Sequence, residues 1–121
     1  MPAPSPLTIA TQSVQRLVKE EQYYRKELAQ QSERVKKLET DLKTGSSGAD
    51  SNAEFVLKQE SKARDETKAV FEPLNQRIEE AVNRLEEQIA ASESESGPAE
   101  EIKKAKETLE LGKKVEKPPV A

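Results

Sequence analysis

Carboxylates, ammonium groups and guanidinium groups are the chemically capable side chains in quantity here: 23 Asp and Glu against 20 Lys and Arg in 121 residues. A carboxylate becomes a general acid or base when a cleft holds it against its substrate at a tuned pKa. These acids are instead interleaved with Lys and Arg on faces that read as solvated, which argues for surface rather than catalysis. The chain has no histidine, cysteine or tryptophan. Ser/His/Asp and Cys/His nucleophile systems, thiolate chemistry and disulfides are therefore excluded. The four glycines fall at expected turns and ends, so no loop is built to cradle phosphate. The Ser-Glu-Ser-Glu-Ser-Gly run at 92–97 could collect a cation loosely, but its spacing matches no calcium loop. The expectation is a protein with no catalytic site, cofactor or metal, whose function lives on its surfaces.

The elements that must position those surfaces are helices. Leu7, Val14, Glu21, Leu28, Val35 and Leu42 stand seven apart, and Ala10, Leu17, Tyr24, Gln31 and Leu38 follow three residues after the first five. This is an a/d heptad seam, which predicts one long helix with a partner helix along it. Glu21 and Gln31 are its polar members. Ser5 is a cap and Pro6 suits the first helical position, where its missing N–H costs nothing. Two glycines and two serines in residues 44–50 predict a reversal. Ser51-Asn52-Ala53-Glu54 then reads as a capping box.

The second helix is expected from about 52 to 91, kinked at Pro73, because the seam continues through Phe71, Leu74 and Ile78. A second turn falls at 92–97. A third helix, at about 98–111, carries Ile102, Ala105 and Leu109 on one face, with Gly112 as its stop. The reading is an all-α antiparallel three-helix bundle, coiled-coil-like, with two long helices and one shorter. It occupies 7–112, between a disordered lead at 1–6 and a disordered tail at 113–121.

A short first turn makes the long helices antiparallel. The register then pairs Leu38 with Leu57, Leu28 with Thr67, Tyr24 with Phe71 and Leu17 with Ile78. Gln31 meets Arg64, a polar layer suited to fixing register. The apolar stripe widens around Ile9, Val14, Leu17 and Val18, and around Leu74 to Ile89. A wide stripe serves two partners, so the third helix belongs at that end and the other end is a two-helix tip. Tyr23 and Phe55 point out of the seam, each either lying on its own helix or anchoring a partner.

Net charge is −3, with +2 on residues 1–44, −6 on 45–97 and +1 on 98–121. No segment is basic enough for a nucleic-acid footprint, no apolar run is long enough for a membrane, and no secretion signal opens the chain. The expected setting is the cytosol. The seam alone would also fit a generic coiled-coil adaptor or dimerisation module.

The block Val14-Gln15-Arg16-Leu17-Val18-Lys19-Glu20, followed by Tyr24, Lys26-Glu27 and Gln30-Gln31, resembles the tubulin-specific chaperone A family, also called tubulin-folding cofactor A. The similarity continues through Val35, Lys37 and Leu38, then at Gln59-Glu60-Ser61, Pro73, Gln76-Arg77-Ile78-Glu79 and Ala81. It returns at Glu100-Glu101 and from Lys104 to Leu109, so that it spans about 8–111. The turns at 44–50 and 92–97 and the Lys/Pro tail depart from the family pattern. The resemblance implies a three-helix bundle that binds β-tubulin released from the chaperonin and passes it toward heterodimer assembly, without nucleotide. It implies a cytoplasmic, cytoskeleton-associated protein, with other tubulin-folding cofactors as further partners and no nucleic acid or membrane. It also implies contact through helices rather than loops. The matching exposed positions are Arg16, Lys19, Glu20, Tyr23, Lys26 and Glu27 on the first helix, and Arg77 and Glu80 on the second.

Overall fold

The computed structural model describes residues 3–45 and 51–115, residue 51 through its backbone alone. The Gly/Ser turn at 46–50, the capping box built on the Ser51 side chain, and the tail beyond 115 lie outside the described residues. Three helices make up the fold: α1 (Pro6–Thr44), α2 (Ser51–Ser94) and α3 (Ala99–Lys113). There is no strand among the described residues. Helix α1 begins where Ser5 Oγ accepts the Thr8 N–H at 3.1 Å, with Pro6 in the first turn. It ends at Gly45, whose φ of 71° lets its N–H turn back to the Leu42 carbonyl. Helix α2 runs on through Pro73 as a single element. The Asn75 side-chain amide donates to the Phe71 carbonyl at 2.8 Å, a bond close to the one the proline deletes.

Helices α1 and α2 are antiparallel. Arg34 reaches Glu60 at 3.3 Å and the Arg25 guanidinium lies 5.6 Å from the centre of the Phe71 ring. Both pairs fall within one residue step of the expected register. Helix α3 runs parallel to α1 at a constant offset: Thr8 donates to Glu101 and Gln15 to Thr108, each pair separated by 93 residues. The same offset puts Val115 level with Gln22. The core of the three-helix end contains Leu7, Ala10, Val14, Leu17 and Val18 of α1, Leu74, Ile78, Val82, Leu85 and Ile89 of α2, and Ala105 of α3. Past Gln22, the described residues form a bundle two helices thick. Leu28, Val35 and Phe71 are buried there with Gln31 and Thr67, while Leu38, Leu42 and Leu57 are half-buried.

The structure corrects several expectations. Ile9 is 55% exposed and does not belong to the core stripe. The core face of α1 at that level is taken by Leu7, Ala10 and Thr11, and position 9 falls on the far side of the helix. Gly112 does not stop α3; it is buried inside the helix. A Cβ there would stand 2.7 Å from Val82 Cγ2 and 3.0 Å from Val14 Cγ1, so the valine methyls of α2 and α1 leave no room for a side chain. The Gln31–Arg64 layer does not form. Arg64 pairs with Asp65 on its own helix at 3.2 Å, and the buried Gln31 Oε1 has no hydrogen-bond partner. Glu21, puzzling in an apolar seam, has its answer one turn on. Arg25 Nε reaches its two oxygens at 2.9 and 2.7 Å, and the guanidinium lies over Phe71.

Candidate partner-binding surface

The eight positions singled out from the sequence divide into separate places. Arg16, Glu20, Arg77 and Glu80 come together. They line one shallow groove between α1 and α2, together with Ser13 and Arg84, over a floor that includes Leu17 and Ala81. Leu17 and Ala81 place their apolar atoms in the core, which leaves the polar positions one step away on each helix facing each other across the groove.

Lys19 lies elsewhere, beside Gln15, Val18, Gln22, Thr108 and Leu111 in a depression between α1 and α3. Leu111 is 54% exposed there. Tyr23 is 62% exposed and sets its ring edge-to-face with Tyr24, centroids 5.3 Å apart at 76°. Tyr24 packs against the core, so the inner ring braces the outer one and Tyr23 is presented to solvent as a fixed aromatic. Lys26 is exposed and Glu27 half-buried, farther toward the tip and outside both depressions. Phe55, 58% exposed, and Val56, 37% exposed, form a small apolar spot near the start of α2.

Arg84 and Ser13 were missed from the sequence. Arg84 was findable: it stands two helical turns after Arg77, on the same stripe of α2. Ser13 carried no signal of its own, being one polar residue among many on the outer side of α1.

Charge along α1 and α2 is largely solvated, and the described residues contain no group of three or more acidic side chains able to hold a metal. The arrangement offers hydrogen-bond donors and acceptors, a braced aromatic and small apolar spots, which are the means of recognising a partner. No helix among the described residues is long and apolar enough to cross a membrane.

A family model described as Tubulin binding cofactor A matches residues 2–109. Tubulin-specific chaperone A of Mus musculus is 31% identical over 104 residues, covering 86% of this chain and 87% of the relative. Proteins of the same name from Oryctolagus cuniculus and Rattus norvegicus align with the same identity and coverage. No solved structure matches significantly. The matched span takes in all of α1 and α2 and α3 as far as Leu109, and so includes both walls of the groove and the braced tyrosine. The chain belongs to the tubulin binding cofactor A family.

Proposed function

We propose that this chain is a tubulin-folding chaperone: it binds and stabilises β-tubulin folding intermediates after chaperonin release and hands them on for heterodimer assembly. The observation that carries this reading is the family match across residues 2–109, supported by the relatives' shared name. On this reading the protein works in the cytoplasm by binding alone, with no catalytic step, and meets other tubulin-folding cofactors at hand-over. Contact is made by helix faces: Arg16, Lys19, Glu20, Tyr23, Lys26 and Glu27 of α1, with Arg77 and Glu80 of α2. A braced aromatic ringed by charges suits a partner that must be held and then released, because rim charges set on-rate and specificity more than residence time. A dimerisation module would need its seam free for a second chain, whereas α2 of the same chain covers Val14, Leu28 and Val35.

The test is co-purification from cytosol with the captured chains identified. β-Tubulin without α-tubulin is the expected result; equal capture of both, or of neither, sinks the proposal. Tyr23→Ala should keep helicity and weaken capture about tenfold, the usual scale for an aromatic anchor.

A further inference from the structure

The arginines of this chain sort themselves. There are six, all on α1 and α2: Arg16, Arg25, Arg34, Arg64, Arg77 and Arg84. Arg25 is paired with Glu21, Arg34 with Glu60 and Arg64 with Asp65. The other three make no ion pair or hydrogen bond among the described residues. Those three are the arginines that line the α1/α2 groove.

Partners are within sequence reach. Glu20 follows Arg16 by one turn, and Glu80 precedes Arg84 by one turn in the acid-first order that favours pairing. Such exposed pairs are worth only about 0.3–0.5 kcal/mol, so an incoming ligand displaces them at little cost. A guanidinium offers a planar fork that matches a carboxylate with two hydrogen bonds, which a lysine ammonium cannot do. Arg77 and Arg84 are seven residues apart on one helix, about 10 Å along its axis. Arg16 faces them from the other wall. The chain's net charge of −3 repels an acidic partner at long range, so attraction has to be local.

We infer that this groove is a carboxylate receptor, in which Arg16, Arg77 and Arg84 grip an acidic polypeptide segment whose carboxylates are spaced about two helical turns apart. Glu20 and Glu80, set between the arginines, meet any amide or amine that lies between the gripped acids, and the three guanidinium groups reject segments of uniform basic charge. The inference rests on the tubulin reading only in supplying that segment from β-tubulin; the receptor chemistry is the chain's own.

Two measurements on the full chain test it. In the first, a deca-glutamate peptide is titrated into labelled protein and the arginine Nε–H signals are followed by NMR. The expected result is movement of the signals of Arg16, Arg77 and Arg84 with those of Arg25, Arg34 and Arg64 unmoved. Uniform movement of all six, or none, overturns the inference. In the second, capture of labelled β-tubulin is compared across variants. The triple Arg16→Gln, Arg77→Gln, Arg84→Gln variant should lose about tenfold or more in affinity, along with most of the salt dependence. The triple Arg→Lys variant, which keeps the charge but not the fork, should lose about threefold. Removing Lys103, Lys104 and Lys113 from α3, as glutamines, should change capture by less than about twofold. All six positions are exposed, so the variants should fold, with circular dichroism as the check. Equal capture by wild type and the triple Gln variant overturns the inference and leaves the tubulin reading standing. Peptide binding in the groove without any capture of β-tubulin overturns only the tubulin reading.

Discussion

The three-helix end and the two-helix tip are built from the same two long helices, yet they solve burial differently. At the three-helix end, α1 and α2 each show a broad apolar stripe, and α3 covers what the other leaves open. At the tip, among the described residues, each helix has one partner. There the seam admits Gln31 and Thr67, and leucines at 38, 42 and 57 stay half in water. Phe71, fully buried, and the Glu21–Arg25 pair mark the border between the two. The lesson is that the third helix limits the length of the polar side chains the interior tolerates. Thr11 and Thr108 are buried at the three-helix end, but both are short, and the Thr11 hydroxyl donates to the Leu7 carbonyl of its own helix. Where α3 sits, a misplaced charge has no exit to water; where it is missing, a long side chain can snorkel.

The strongest way to break this comparison is one substitution placed in each region. Leu17→Asp puts an unpaired charge in the three-helix core and should abolish the cooperative melt followed by circular dichroism. Leu38→Asp, half-buried in the tip, should leave that melt in place and accelerate hydrogen exchange only for residues around 30–45 and 51–65. If the two variants melt alike, the molecule has no such division. A smaller effect belongs to Gly112→Ala. Alanine favours helix by about 1 kcal/mol, but its methyl would press on Val82 and Val14, whose short branched side chains cannot yield. The net expectation is a loss of about 1–2 kcal/mol in denaturant unfolding, within the usual range for overpacking. A gain would mean that α3 packs more loosely than described. Smallest, and of opposite sign, is Gln31→Leu. It removes a buried Oε1 without a partner and should stabilise the tip by about 1 kcal/mol, read as slower exchange there with the three-helix end unchanged.

Much of this was legible in the sequence, because heptad spacing is a local statement that burial along α1 bears out. Leu7 to Val35 form a buried line along α1, Ser5 and Pro6 start the helix, and stripe width placed α3. What escaped were distances between helices. A glycine after an apolar run reads the same whether it ends a helix or lets one pass close to another, and Gly112 does the second. Opposite register positions do not ensure that two polar side chains meet: Arg64 is long and partly exposed, so it turned to Asp65 and left Gln31 alone. Glu21 could have been explained, since Arg25 stands one turn away at a spacing helices favour. Of the eight candidate positions, four share one groove, which the sequence did not reveal, and Arg84 joins them on the i,i+7 stripe from Arg77.

The constant offset of 93 residues between α1 and α3 also has a consequence in time. The thickest part of the core draws on residues 7–18, then 74–89, then 105–115. A chain made from its N-terminus therefore exposes the leucines and valines of α1 before anything exists to close over both of their sides. The two-helix hairpin can assemble first, and it brings the distant segments near one another, shrinking the effective loop that α3 must close. Its own last described helix is what seals the interior, so this protein depends on late synthesis to finish its earliest-made part.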